Sequence, residues 1–343
     1  MIQNVLKKLT ANQDLTFEEA YGLIVAIDKD ELSDVQIAGF QVALLMKGPT
    51  LTEITAIAQA MRDHCKGIAP RVEDELMDTC GTGGGLSTFN ISTAVALVAA
   101  AAGIPVAKHG SRSISSLSGS ADVLEALGVE INLSPRAVEK LIEEVGIAFI
   151  YAPLFHPVMH KVLPPEQALG IKTIFYTIIG PLINPARATR HILGVYKPEL
   201  LDTVSRIALS LGYKRALFVH GLDGLDEISL LGKTRVNEIK NGTISSYEIS
   251  PEDFGLARCT LEDIKTGTPE VNAAVIREVF SAQNQGPRRQ AVVMNAAGAL
   301  YIGGKADSLQ GGIKLVGELI DSGLAQAKLD QLISASQDFR SIQ

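Results

Sequence analysis

The chain has 343 residues, 46% apolar and 20% charged, and its 31 lysines and arginines against 38 aspartates and glutamates leave a formal charge of −7. That balance argues against a nucleic-acid partner, which needs a clustered basic field, and the composition argues against disorder. Three scattered cysteines, Cys65, Cys80 and Cys259, are too few for a disulfide framework or a four-thiolate zinc site. With no signal-peptide core at the start and no uninterrupted apolar run of about 18 residues, a cytoplasmic protein without membrane contact is expected.

The first seventy residues carry three helix-start signatures, Thr16-x-x-Glu19, Ser33-x-x-Gln36 and Thr50-x-x-Glu53. In each, a hydroxyl can accept from a backbone N–H while the acid or amide reaches back to the cap. Apolar sets at helical spacing follow, such as Ala20, Leu23, Ile24 and Ile27, so residues 1–70 read as a small helical domain. Beyond it, short apolar runs alternate with longer helical stretches. Strands are expected at 76–77, 104–107, 148–151, 216–219 and 243–249, and helices at 93–102, 121–127, 135–144, 198–211 and 271–283. Three more helices are expected at 290–297, 312–321 and 325–336. This alternation predicts an α/β domain over 71–343 with a mixed, largely parallel sheet. The stretch 173–185, TIFYTIIGPLINP, reads as a helix and turn crossing between the two units, so that about 171–190 contributes to the helical domain.

Three loops carry the chemistry. The first runs from Asp78 to Thr93, with Gly81, Gly83, Gly84 and Gly85 between a short strand and an Ala-rich helix. Missing side chains let backbone N–H groups converge on an anion, and a helix start adds unpaired donors and dipole. Neither a P-loop nor a dinucleotide fingerprint fits, because no lysine follows the glycines and Leu86 occupies the last glycine position. The second loop, Lys108 to Asp122, joins Lys108 and Arg112 to six serines at a strand's end, a donor set for a phosphorylated sugar. The third, His220 to Glu227, ends in Asp226 and Glu227. That pair is either a solvated acidic turn or a set of oxygen ligands for Mg²⁺.

Taken in order, GTGG, NIST, KHGxRS, SGSADVLEALG, FHP, LGIKTIF, GPLINPA and HGLDGLDE resemble the anthranilate phosphoribosyltransferase family, which joins anthranilate to phosphoribosyl pyrophosphate (PRPP). The resemblance implies a nucleoside-phosphorylase-like fold and a homodimer joined through the helical domain. It implies PRPP contacts at Gly81, Gly84, Gly85, Thr88, Asn90, Ile91, Ser92, Thr93, Lys108, Ser116 and Ser120. Two Mg²⁺ ions would be held by Ser92, Asp226 and Glu227. Anthranilate would meet Gly81, His109, Ser111, His156, Glu166 and Pro181. No residue is implied as acid or base, and His64, His160, His191 and His220 read as surface or satisfied core residues.

The departures cluster at the amine. One residue is missing before Gly85, and the family's loop aspartate with it; Ser111 and Tyr176 stand where the family has asparagines. Glu166 falls where the family has an arginine facing the anthranilate carboxylate. Either another cation such as Lys161 or Lys172 meets that carboxylate, or the acceptor is a different amine or base. A non-catalytic binding protein on the same fold is the reading from another class.

Overall fold

The computed structural model describes residues 1–113, 117–283 and 285–342. Four helices open the chain: α1 (Ile2–Thr10), α2 (Phe17–Asp28), α3 (Asp34–Lys47) and α4 (Leu51–Asp63). The Thr16 hydroxyl accepts from Glu19 N–H at 3.2 Å while Glu19 returns to Thr16 N–H at 2.9 Å. Thr50 and Glu53 repeat the exchange, and at Ser33 the Gln36 amide oxygen takes the cap N–H at 2.9 Å. Helix α1 carries no such motif, and the sequence does not announce it.

The α/β part follows with β1 (Met77–Asp78), α5 (Ile91–Ala101), β2 (Val106–Gly110), α6 (Ser120–Leu127), α7 (Pro135–Val145), β3 (Ile147–Tyr151), α8 (Ala152–Phe155) and α9 (Met159–Leu169). A π-helix (Phe175–Ile179) runs into the single turn α10 (Gly180–Leu182), and then come β4 (Arg190–Gly194), α11 (Pro198–Ser210), β5 (Arg215–Gly221), β6 (Thr234–Lys240) and β7 (Thr243–Ile249). Five helices finish the chain: α12 (Leu261–Ile264), α13 (Pro269–Phe280), α14 (Pro287–Ile302), α15 (Leu309–Asp321) and α16 (Leu324–Asp338).

The strand order is β3-β2-β1-β4-β5-β6-β7, parallel from β3 through β5 and antiparallel from β5 to β7. This is the mixed, largely parallel sheet expected, with β4 and β6 added. Sequence hides β4 because a proline-rich crossing precedes its short RHILG run. It hides β6 because TRVNEIK looks polar, although Asn237 is satisfied internally by Asp202, Ser205 and Ser246.

Alternate residues of the strands feed two apolar clusters, as strand geometry requires. Ile192, Leu217 and Val219 pack with α5–α7 and α13–α16. Leu193, Ala216 and Phe218 pack on the other side with α1–α4, α9, α11 and the π-helix. Phe40 of α3 meets Phe175 of the π-helix edge-on with ring centroids 6.4 Å apart, so the 173–185 crossing is wedged into the cluster that the N-terminal helices build.

The strand order reverses direction between β1 and β4, and in open parallel sheets the crevice beyond the strands' carboxyl ends at such a point is where ligands bind. Asp78, fully buried at the end of β1, organises that point. Its Oδ1 accepts from the N–H groups of Thr79 (2.7 Å), Cys80 (3.1 Å) and His109 (3.2 Å), and its Oδ2 accepts from Asn184 Nδ2 at 2.7 Å. Removing the acceptor strands these buried donors, each at roughly 1–3 kcal/mol. Asp78→Ala is therefore expected to lower unfolding free energy by at least about 3 kcal/mol, read as a shifted midpoint in urea denaturation; a midpoint within error of the parent would contradict this role.

Candidate active site

A cleft of about 540 Å³ opens at the β1/β4 reversal. One wall is the loop after β1. Gly83 and Gly84 take φ values of 63° and 90°, conformations that a side chain disfavours. Gly85 is needed for a different reason: a Cβ there would lie 2.6 Å from Asp226 Oδ1. Across the reversal, a Cβ on Gly194 would lie 1.6 Å from the Asp226 carbonyl oxygen. The glycine loop, the end of β4 and the Asp226 loop are thus stacked backbone on backbone. Thr82 ties the first two together, its N–H donating to Gly194 O at 2.9 Å and its hydroxyl accepting from Tyr196 N–H at 3.0 Å.

Helix α5 begins at Ile91 with Asn90 as its cap residue, and its Asn90 and Ser92 side chains line the cleft. Asn90 is held from two sides, accepting from Asn272 Nδ2 at 2.8 Å and from the Ser118 hydroxyl at 3.2 Å. Lys108, 2% exposed, reaches the cleft from β2 and donates to Thr79 Oγ1 at 3.2 Å and Ser92 Oγ at 3.4 Å. Burial pushes its ammonium below the ordinary lysine range, with Cys80, Asp78 and Glu227 pulling the other way. Arg112 also lines the cleft, but Asp122 and Glu125 already neutralise it.

Asp226 and Glu227 line the same cleft beside these donors. Burial and the neighbouring Asp226 charge push the Glu227 carboxyl up to about 8, with Lys108 opposing. Burial raises Asp226 too, partly offset by backbone donors including Gly83. The loop is pinned by Asn295 of α14, whose side-chain oxygen accepts from Ile228 N–H at 2.8 Å while its amide donates to Ile228 O at 3.0 Å.

The other end of the cleft is lined by His109, Ser111, His156 and Pro181, together with Leu163, Lys172, Phe175 and Tyr176. His109 and His156 are buried with their Nε2 atoms 3.0 Å apart, so at most one proton lies between them. Their Nδ1 atoms have no partner. Burial holds His109 down at about 3 and His156 well below the usual range, and both rings are neutral near pH 7.

The cleft therefore gathers Gly81, Gly84, Gly85, Asn90, Ser92, Lys108, Ser120, Asp226 and Glu227 with His109, Ser111, His156 and Pro181. It does not gather all that the resemblance implied. Thr88 bridges to Lys265, Ile91 is 1% exposed, and Thr93 is buried with an unpartnered hydroxyl; none lines the cleft. Ser116 lies outside the described residues. Glu166 is the main correction, because it is absent from the lining and only 2% exposed. Helix α9 ends at Gly170 in a left-handed turn, φ 65°, which returns the Thr173 N–H onto Glu166 Oε1. Burial raises this carboxyl, and Oε2 has no partner. Two other histidines are core residues: His220 contacts Val195 O at 2.7 Å, whereas His191 contacts Cys80 O at 2.7 Å through Nε2 and leaves its buried Nδ1 without a partner.

Sequence reasoning missed Thr82, Gly194, Tyr196 and Asn295. Each acts through a backbone contact with a segment far along the chain, which leaves no local motif.

The chain matches the sequence profile of the glycosyl transferase family's helical bundle domain over residues 3–65 and of its a/b domain over residues 73–326. It is 46% identical to the anthranilate phosphoribosyltransferase of Acetivibrio thermocellus over 99% of this chain and 98% of that protein. It superposes on the crystal structure of the Thermus thermophilus anthranilate phosphoribosyltransferase with a TM-score of 0.90 at 41% identity, covering 97% of this chain and 99% of that one. The Saccharomyces cerevisiae enzyme in complex with PRPP and Mg superposes with a TM-score of 0.88 at 28% identity, over 98% of each chain. With sequence, fold and cleft in agreement over nearly its full length, the chain belongs to the anthranilate phosphoribosyltransferase family of glycosyl transferases.

Proposed function

We propose that this chain transfers the 5-phosphoribosyl group of PRPP to the amine of anthranilate and releases pyrophosphate, as a step of tryptophan biosynthesis. The observation that carries the reading is one cleft with a glycine loop, buried Lys108 and a carboxylate pair at one end and a wall of apolar groups, uncharged imidazoles and Lys172 at the other. Gly81, Gly84, Gly85, Asn90, Ser92, Lys108 and Ser120 bind PRPP. His109, Ser111, His156 and Pro181 border the amine.

The carboxylate pair fits Mg²⁺. Two adjacent acids, both raised chiefly by burial, are hard oxygen donors of the kind Mg²⁺ takes when phosphates and water complete its shell. Among the described residues no group of three or more His, Cys, Asp or Glu could hold a metal unaided. Asp226, Glu227 and the Ser92 hydroxyl would hold up to two ions, which when bound neutralise charge on the departing pyrophosphate.

The chain's own residues do the rest. Loop N–H groups and the α5 start meet developing negative charge with dipoles already in place. The C1–O bond to pyrophosphate breaks as the amine nitrogen bonds to C1, and the amine's surplus proton passes to solvent. The arylamine is nucleophilic unaided, so positioning replaces acid–base chemistry. Cys80, whose thiol burial pushes up to about 12, is no nucleophile. Neutral His109 and His156 add no positive charge of their own beside the carbon where positive charge develops.

The α3 residues Val35, Val42, Leu45 and Met46 are exposed by 81, 39, 41 and 80%, and we assign this face to a homodimer contact between helical domains formed by residues 1–70 with about 171–190. No helix among the described residues is long and apolar enough to cross a membrane, and we place the enzyme in the cytoplasm. Met46→Glu with Val42→Glu is expected to yield monomers in sedimentation; an unchanged dimer removes this assignment.

Asp226→Asn should reduce kcat by roughly 100-fold or more in a Mg²⁺- and PRPP-dependent assay following anthranilate fluorescence, with unchanged circular dichroism. An unchanged rate removes the metal role. Wild-type protein that binds PRPP yet never turns over anthranilate overturns the assigned acceptor.

The raised carboxyls also set a pH dependence. From about pH 5 to 8 the metal-free folded chain keeps a proton on Glu227 that the unfolded chain, with an ordinary value of 4.5, has lost. Stability therefore falls as pH rises through that window. Melting of the metal-free protein should occur at higher temperature at pH 6 than at pH 8, and Asp226→Asn should shrink the difference; a wild-type slope of the opposite sign contradicts the assignment.

A further inference from the structure

Among the described residues, three lysine or arginine side chains line the cleft: Lys108, Arg112 and Lys172. Lys108 belongs to the PRPP end, where it donates to Thr79 and Ser92. Arg112 is held by Asp122 and Glu125. Lys172 is different. Among the described residues no carboxylate pairs with it, and its ammonium sits 4.6 Å from the centroid of the Tyr176 ring. Phe175, Tyr176, Thr177, Gly180 and Pro181, which follow it along the chain, all line the cleft, so Lys172 heads the wall at the amine end. The other candidate, Lys161, is engaged elsewhere, paired with Asp30 at 2.8 Å and donating to Asp28 O at 2.5 Å.

We propose that Lys172, held in place by Tyr176 and by the Glu166–Thr173 hydrogen bond, is the residue that selects the acceptor by meeting its carboxylate. This deepens the anthranilate reading above and rests on it. The physical logic is an exchange of sign between neighbours on one turn. A carboxylate at 166 facing the acceptor would repel it, but Glu166 is turned into the protein, where it takes the Thr173 N–H. The residue immediately before Thr173 is Lys172, so the bond that keeps the Glu166 carboxyl out of the cleft also fixes the backbone that bears the ammonium. The Tyr176 ring face holds the ammonium without neutralising it, leaving its charge for a ligand. Lys172 is exposed, so screening by salt limits the effect and makes it measurable as an ionic-strength dependence.

The test compares anthranilate with 2-aminobenzamide, its neutral isostere, in wild type, Lys172→Met, Lys172→Arg and Glu166→Gln, using calorimetric affinity in the presence of PRPP and Mg²⁺ together with steady-state kinetics. Lys172→Met is expected to raise the Kd and KM for anthranilate about tenfold, to leave kcat and the KM for PRPP within about twofold, and to change 2-aminobenzamide affinity by less than about twofold. Lys172→Arg should restore most of the loss, and high salt should weaken wild type more than Lys172→Met. Glu166→Gln should keep anthranilate KM within about threefold, since an amide oxygen still accepts from Thr173. Equal anthranilate affinity in wild type and Lys172→Met overturns the proposal and leaves the anthranilate reading standing, as does an equal loss for both acceptors. Wild type that neither binds nor turns over anthranilate overturns both.

Discussion

One buried carboxylate organises the centre of this molecule. Asp78 receives the first N–H groups of the glycine loop, the N–H of His109 at the end of β2, and the amide of Asn184 beyond α10. A charged group without water persists only where its lone pairs are taken, so the four partners and the carboxylate define one another. The three segments that border the cleft are thereby registered from a single point. Asn184 also donates to Ala107 O at 2.8 Å, which locks the crossing segment to β2 as well as to β1.

On the far side of the reversal the constraint is steric. The Asp226 backbone lies where Gly194 could carry no side chain, its carboxylate lies against Gly85, and Asn295 holds the following loop by both backbone groups of Ile228. The carboxylate pair therefore has little freedom to retreat from the glycine loop. The two carboxyls are buried side by side, and burial, opposed only in part by Lys108 and backbone donors, raises the proton affinity of both Asp226 and Glu227. The cleft is poised for cationic company, a state reached by packing and not by attraction between the acids themselves.

Much of this was legible in sequence, because the informative features are local. Capping boxes announce helices at Thr16, Ser33 and Thr50; the run of glycines announces a backbone cradle; and the paired acids announce a hard-ion site. What escaped was relational. Nothing near Asn295 says that it grips Ile228, and nothing in RHILG says that β4 sits beside β1. Glu166 shows the limit most clearly. Its position along the chain places it at the acceptor, but the left-handed turn at Gly170 brings a backbone donor to it and rotates it out of the cleft. Thr88, Ile91 and Thr93 share a motif with cleft residues, although the strand bridge at Lys265 and the helix core claim them.

The two ends of the cleft are carried by different parts of the fold. The end with the glycine loop and Lys108 hangs from strand termini and α5, whereas the wall with Phe175 and Tyr176 belongs to the crossing stretch wedged by Phe40 and Phe175 among the N-terminal helices. Asn184 nevertheless ties that stretch to Asp78 and β2, so a substitution that moves the wall would also be felt at the glycine loop.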